Sequence, residues 1–135
     1  MQFVDTNVLV YSVSTRPADV KKRNRAEALL RAPGLGTSVQ VLQEFYVQAT
    51  RPNGASAMAH VHAVSMVRAF DRFAIQAMTL EVMHAALALK SRHGFSYWDS
   101  AIIAAALALG CDALLTEDLS HGQRIDGLTV INPFL

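Results

Sequence analysis

Four acidic residues that stand among apolar neighbours are the strongest indication of chemistry in this sequence. Asp5 ends the apolar stretch QFV, and Asp118 follows shortly after ALL at 113–115. Glu44 is the only charged residue in SVQVLQEFYVQAT, and Asp99 immediately precedes the uncharged run SAIIAAALALG. A charge in such surroundings costs several kcal/mol unless another group compensates it. The sequence therefore raises the question of what compensates these carboxylates.

Each of these acids has a simple structural explanation when it is taken alone. Asp99 in the first turn of a helix would be stabilised by the helix dipole by roughly 0.3–1 kcal/mol. Asp5 in DTN would form an Asx-turn, Asp118 would begin a turn, and Glu44 would face solvent on an amphipathic helix. Four acids in apolar contexts, two of them near the ends of expected strands, instead favour one shared site.

A shared site would need a cation. Two carboxylates about 4 Å apart repel each other by roughly 4 kcal/mol at an effective dielectric near 20, and a divalent ion reverses that penalty. A set of oxygen ligands without His or Cys favours Mg²⁺ or Mn²⁺ over zinc. Such an ion lowers the pKa of bound water and stabilises charge on a phosphoryl oxygen, so the pattern predicts phosphodiester hydrolysis.

The elements that would bring the acids together alternate between short apolar strands and amphipathic helices. This alternation predicts an α/β fold on a mostly parallel sheet, whose site lies beyond the carboxyl ends of the strands. The predicted strands cover residues 1–5, 35–37, 73–78, 113–116 and 129–131. The predicted helices cover residues 8–13, 17–32, 38–50, 56–70, 79–94 and 96–109.

Composition limits the class of protein. The 135 residues predict a single domain over 1–135, and a 52% hydrophobic content argues against disorder. A net charge of +1 provides no global basic field, so any nucleic-acid contact would use a local patch. The N-terminal MQFVDTN does not resemble a signal peptide, and the apolar run at 101–109 is too short to cross a bilayer. We therefore expect a cytoplasmic protein with no membrane contact.

The motifs together resemble those of PIN-domain ribonucleases of the VapC toxin type, the nuclease half of a bacterial toxin–antitoxin pair. The matching segments follow the family's order along the whole chain. They are VDTNVLVY at 4–11, VQVLQEFY at 39–46, FSYWDSAIIAAA at 95–106 and LLTEDLSHGQRIDGLTVINPF at 114–134. The resemblance implies a three-layer α/β/α sandwich around a mostly parallel sheet of about five strands.

The resemblance also implies roles for individual residues. It makes Asp5, Glu44, Asp99 and Asp118 the catalytic metal site, holding one or two Mg²⁺ or Mn²⁺ ions. Thr6 or Asn7 would orient Asp5, and Thr116 would form a hydrogen bond at the rim of the site. TED offers two acids, and Asp118 is preferred because the family's acid falls two residues after the threonine. Glu117 would support it.

The activity implied by the resemblance is in-line attack of water on an RNA phosphodiester, leaving a 5′-phosphate and a 3′-hydroxyl. The substrate would be RNA, with transfer RNA as one candidate. The partners would be a second copy of the chain, in a homodimer, and a cognate antitoxin whose tail occupies the acidic cleft.

Three further residues have open assignments. Arg124 is close in sequence to Asp118 and is the preferred contact for a substrate phosphate. His121 would either touch the substrate or serve a structural role in its loop. Trp98 would either stack on an RNA base or pack beside the metal site, and packing is the favoured interpretation.

Two other functions fit part of the pattern. One is a PIN-like domain that binds RNA or protein without catalysis, although such a domain would be expected to lose acids from the site. The other is a metal-dependent phosphatase of the haloacid dehalogenase type, which needs a second acid two residues after the first. Asn7 stands at that position, which counts against the phosphatase.

Overall fold

A six-stranded, mostly parallel sheet forms the centre of the protein, and the computed structural model describes all 135 residues. The strands are β1 (Gln2–Val4), β2 (Leu35–Ser38), β3 (Ala74–Gln76), β4 (Ala113–Leu115), β5 (Arg124–Ile125) and β6 (Leu128–Ile131). The helices are α1 (Thr6–Ser12), α2 (Val20–Leu30), α3 (Val39–Ala49), α4 (His60–Ala69), α5 (Leu80–His93) and α6 (Tyr97–Ala108). The strand order is β3-β2-β1-β4-β6-β5, and only the β5–β6 pair is antiparallel.

This strand order determines where the helices lie and where a site can form. The chain moves outward from β1 to β2 and β3, then returns to place β4 on the other side of β1. Because such crossovers are right-handed, the helices of the outward path and the helices of the returning path lie on opposite faces of the sheet. Consistently, α1 packs on α2 and α3, whereas α5 packs on α6. The predicted α/β sandwich is therefore confirmed, and its topological switch point lies between β1 and β4.

Side-chain caps fix where four of the helices begin. The side chains of Asp5, Ser38, Thr79 and Ser96 each accept a hydrogen bond from a backbone N–H in the first turn of the helix that follows. These caps satisfy N–H groups that have no partner within the helix. Two of them, Asp5 and Ser96, begin helices whose first turn lines the cleft described below, so the start of each of these two helices is also part of the site.

Helix α6 explains the uncharged run after Asp99. Every residue from Ser100 to Ala106 is buried. The many alanines allow α6 to pack closely against α5 and to contact β2, β3 and β4. A helix that is apolar on all sides belongs in the interior, so the single acid at its beginning lies where the helix emerges at the edge of the sheet.

Two of the predicted helices begin later in the structure than the sequence suggests. The predicted helix at 17–32 begins as a 3₁₀ turn at Pro17–Asp19, because Asp19 has a non-helical backbone and accepts a hydrogen bond from Ser14 Oγ at 2.7 Å. The helix predicted at 56–70 begins only at His60, since the Met58 N–H instead bonds the Ala49 carbonyl at 2.7 Å.

Strand β5 was not predicted, although the sequence contains a signal for it. Ile125 pairs with Leu128 across a two-residue loop, Asp126-Gly127, in which both residues have positive φ, 50° and 91°. Asp-Gly is a preferred sequence for such a hairpin. No helix of the structure is both long and apolar enough to span a bilayer.

Candidate active site

All four acids selected from the sequence line one cleft at the switch point. Asp5 follows β1, Asp118 lies beyond β4, Glu44 lies on α3, and Asp99 is in the first turn of α6. They line a cleft of about 440 Å³, together with backbone and side chains from α1 and from the loop after α3. Residues as far apart in sequence as Asp5 and Asp118 are thus brought together because β1 and β4 are parallel neighbours.

Asp5 is the most constrained of the four. The residue is only 7% exposed, and its carboxylate accepts hydrogen bonds from the Thr6 N–H at 2.6 Å and from Thr116 Oγ1 at 2.7 Å. Burial raises the pKa of Asp5 from 3.8 to about 6, and the negative charges of Asp118 and Glu44 add to this effect, whereas the two hydrogen bonds oppose it. Asp5 is therefore a carboxylate that would gain from a nearby cation.

Thr116 joins Asp5 to Asp118. Its hydroxyl donates to Asp5 and accepts from the Asp118 N–H at 3.1 Å and from Asn7 Nδ2 at 3.0 Å. Asn7 Nδ2 also donates to Asp118 Oδ2 at 3.1 Å. Thr116 is fully buried, so this network has little freedom to rearrange. The network holds the negatively charged carboxylates of Asp5 and Asp118 beside each other.

Glu44 is held by one hydrogen bond on each carboxylate oxygen. Thr6 Oγ1 donates to Oε2 at 2.8 Å, and Gln40 Nε2 donates to Oε1 at 2.9 Å. Thr6 therefore contacts two acids, because its N–H bonds Asp5 and its hydroxyl bonds Glu44. Gln40 Nε2 also lies 3.4 Å from the Trp98 carbonyl, which connects α3 to the first turn of α6.

Asp99 lies at the positive end of α6. Its N–H donates to Ser96 Oγ at 3.1 Å, which caps the helix. Partial burial raises the pKa of Asp99, and the charges of Asp118 and Glu44 raise it further, while Ser96 opposes the shift. The negative charges of Glu44 and Asp118 thus act on both Asp5 and Asp99. This shared repulsion is the electrostatic signature of a single acidic site.

Glu117 is turned toward a different set of partners. It accepts from Tyr11 OH at 2.6 Å and from Lys22 Nζ at 2.8 Å, and Lys22 also donates to Tyr11 OH at 3.1 Å. The Lys22 ammonium lies over the Tyr11 and Phe134 rings as well. Of the two acids in TED, Glu117 is therefore neutralised within the chain, and Asp118 carries the negative charge in the cleft.

The two predicted substrate contacts lie elsewhere. Neither Arg124 nor His121 is among the residues that line the cleft. Arg124 begins β5, and His121 Nδ1 accepts a hydrogen bond from the Asn132 N–H at 3.0 Å, which ties two loops together. The basic residues that do line the cleft are Arg16 and Arg51, neither of which belongs to a motif recognised in the sequence.

Trp98 also differs from the favoured expectation. It lines the cleft and is 62% exposed, so it does not serve as buried packing beside the acids. A clue was present in the sequence, because a residue at the second position of a helix lies at its end, beyond most of the packing surface.

The cleft suits a hard divalent cation in its chemistry. Its potential ligands are carboxylate oxygens, and Asn7 Oδ1 is a buried oxygen that makes no hydrogen bond. No three acidic, His or Cys side chains stand ready to enclose an ion. Mg²⁺ does not require such a cage, since it usually keeps several waters and binds one or two carboxylates together with substrate phosphates. The residues present therefore fit such an ion.

Comparisons of structure show that this fold occurs in known proteins. It is similar to a chain of a toxin–antitoxin complex from Klebsiella pneumoniae, with a TM-score of 0.72 and 22% identity over 98% of each chain. It is similar to VapC20 from Mycobacterium tuberculosis, a toxin that cleaves the sarcin–ricin loop, with a TM-score of 0.69 and 22% identity. That alignment covers 87% of this chain and 90% of VapC20. VapBC2 from Rickettsia felis, bound to a promoter DNA fragment, gives a TM-score of 0.66 and 19% identity over 96% of each chain.

Sequence comparison supplies the family. Comparison with curated proteins finds no match. A family model described as PIN domain matches residues 3–125, a span that contains all four acids and runs from within β1 to the end of β5. The resemblance expected from the motifs is thereby confirmed. The chain belongs to the PIN domain family.

Proposed function

We propose that the chain is a divalent-metal-dependent endoribonuclease and the toxin of a toxin–antitoxin pair. The observation that carries this proposal is the convergence of Asp5, Glu44, Asp99 and Asp118 from four separate elements on one cleft. A protein gains no stability by gathering like charges, so the arrangement calls for a positively charged ligand. The similarity to a toxin that cleaves the sarcin–ricin loop supports RNA as the substrate.

In this proposal, the four carboxylates hold one or two Mg²⁺ or Mn²⁺ ions. When bound there, such an ion would activate water as a nucleophile and stabilise charge on the phosphate. The chain itself supplies orientation. Thr116 and Asn7 keep Asp5 and Asp118 from turning away, and Thr6 holds Glu44 beside Asp5.

The second half of the proposal concerns a protein partner. The structures similar to this chain include a toxin–antitoxin complex, which supports a cognate antitoxin. The excess of negative charge in the cleft suits a basic antitoxin tail. A small protein encoded immediately upstream, with a DNA-binding fold and a basic tail, would support this half, and a gene that stands alone would weaken it. A homodimer remains a prediction, which light scattering of the purified chain can measure.

The enzymatic half is tested by cleavage of RNA in Mg²⁺. Asp5→Asn and Asp99→Asn should each lower the rate by roughly 100-fold or more, since the ion contributes several kcal/mol to transition-state stabilisation. Asp71→Asn is the matched control, because Asp71 is exposed and does not line the cleft. Equal cleavage by the wild type and both site variants would reject the enzyme.

A PIN-like domain that only binds RNA or protein is the alternative. It would bind RNA equally well with and without Asp5 and would release no product in any metal. The presence of all four acids favours the nuclease, because a binding domain has no use for their mutual repulsion. The PIN family match and Asn7, which replaces the second acid that the phosphatase requires, both disfavour the phosphatase.

A further inference from the structure

A second groove opens directly beside the acidic cleft. It has a volume of about 420 Å³ and lies between α3 and the beginning of α6. It shares Glu44, Gln48, Arg51 and Trp98 with the cleft, so the two form one continuous surface. The reaction proposed above uses only the acidic part, and the groove therefore needs its own explanation.

Trp98 is the most unusual feature of this groove. It is the only tryptophan of the chain, and 62% of it is exposed. Its one aromatic neighbour is Tyr97, whose ring lies 5.0 Å away at 79°. An exposed indole makes a poor contribution to folding, but its flat face is well suited to stack on another ring. Since it directly precedes Asp99, a ring stacked there would lie next to the acids.

The rest of the groove suits a nucleotide. Gln43 and Gln48 of α3 are both exposed and both line the groove, and their amides can donate to and accept from the edges of a base. Arg51 is exposed and takes part in none of the three ion pairs of the chain. A guanidinium that lacks an acidic partner is a suitable contact for a phosphate.

We propose that this groove is a nucleotide-binding subsite in which Trp98 stacks on one unpaired base and Arg51 binds an adjoining phosphate. The subsite rests on the proposed ribonuclease function and specifies its substrate as RNA that is single-stranded beside the cleavage point. A base within a duplex is already stacked on both faces, so only an unpaired base can present a face to Trp98.

Charge favours a nucleic acid over a protein at this groove. A basic peptide would be attracted by the acids but repelled by Arg51 on the same surface. A polyanion has the opposite preference. Arg51 attracts it, whereas the acids repel it unless a cation neutralises them. The groove would thus hold the RNA next to the acidic cleft.

The single tryptophan provides a direct assay. Asp5→Asn protein in EDTA is titrated with a short single-stranded RNA and with a duplex that contains the same strand, while Trp98 fluorescence is recorded. The single strand should change the fluorescence, and the duplex should change it far less. No response to the single strand would overturn the proposal. A response to a basic peptide but not to RNA would assign the groove to a protein partner and would also overturn it.

Variants test the two contacts separately, with binding measured by the anisotropy of a labelled single strand. Trp98→Ala should weaken binding by roughly 5- to 100-fold, whereas Trp98→Phe, which retains a ring, should recover most of it. Arg51→Ala should weaken binding and lower its dependence on salt, whereas Arg31→Ala, a change at an exposed arginine outside the groove, should not. Equal affinity for wild type and Trp98→Ala would reject the stacking role.

These results separate the subsite from the enzyme. RNA cleavage that is lost in Asp5→Asn but unchanged in Trp98→Ala would leave the ribonuclease standing and reject the subsite. A fluorescence response to single-stranded RNA without cleavage in any metal would support the subsite and reject the ribonuclease.

Discussion

Replacing Asp5 by asparagine should stabilise the metal-free protein at neutral pH. The folded-state pKa of about 6, against an ordinary value of 3.8, corresponds to about 3 kcal/mol of destabilisation once the carboxyl is ionised. The contribution of Asp5 to the stability of the fold is most favourable below pH 3.8, where the carboxyl is protonated in both the folded and the unfolded state. It is lost as the pH rises through about 6. Above that pH the wild type carries the whole penalty, and an uncharged amide avoids it.

The hydrogen bonds of Asp5 reduce the expected gain. Asparagine is as good a helix cap as aspartate, so the contact with the Thr6 N–H should survive. The contact with Thr116 should not, because Thr116 Oγ1 already accepts from Asn7 and from the Asp118 N–H and has no free lone pair for another donor. Losing that bond costs about 1 kcal/mol. The net gain should therefore be about 2 kcal/mol.

Urea denaturation in EDTA measures this difference. Asp5→Asn should exceed the wild type in unfolding free energy at pH 7.5, and the advantage should disappear near pH 4. Asp71 is an exposed acid outside the cleft, so Asp71→Asn should have the unfolding free energy of the wild type at both pH values. Addition of Mg²⁺ should stabilise the wild type more than Asp5→Asn. A variant that is less stable than the wild type at pH 7.5, or an advantage that does not change with pH, would refute this reasoning.

Three further outcomes follow from the same contacts. Thr116→Val should lower the unfolding free energy by about 1–3 kcal/mol and the RNA cleavage rate by roughly 10–100-fold, because it removes the hydroxyl that joins Asp5 to Asp118; unchanged cleavage would exclude a positioning role. Glu117→Gln should change stability by no more than about 1 kcal/mol in urea and leave cleavage intact, since Tyr11 and Lys22 already occupy that carboxylate. A loss of RNA cleavage as large as the loss caused by Asp118→Asn would place Glu117 among the metal ligands. EDTA should abolish cleavage and excess Mg²⁺ should restore it; activity that persists in EDTA would reject metal dependence.

The placement of Asp5 and Asp118 was predictable from the sequence. Each follows a short apolar strand, and the carboxyl ends of parallel neighbours meet at one edge of a sheet. The helix beginnings at Ser38, Thr79 and Ser96 were also predictable, because a capping side chain acts on the N–H groups of its own first turn. Such local rules do not depend on the rest of the fold.

The contacts between distant segments were not predictable in this way. Tyr11 and Glu117 are separated by 106 residues, and their contact with Lys22 depends on how α1, α2 and the loop after β4 come together. No local pattern distinguishes Glu117 from Asp118, and the resemblance alone indicated the choice. The position of Trp98 at the start of a helix is a clue to its exposure, but the extent of that exposure depends on where α6 begins relative to α3, which sequence spacing does not encode.

The most direct test of the central claim is to locate the ion. Crystals grown with Mn²⁺ should give an anomalous scattering peak in the cleft, bound by oxygens from at least two of Asp5, Asp99 and Asp118 at about 2.0–2.3 Å. The same peak should be lost or weakened in Asp5→Asn crystals. A cleft without a peak at saturating Mn²⁺, in crystals of the active wild type, would contradict the claim that these carboxylates share a metal ion.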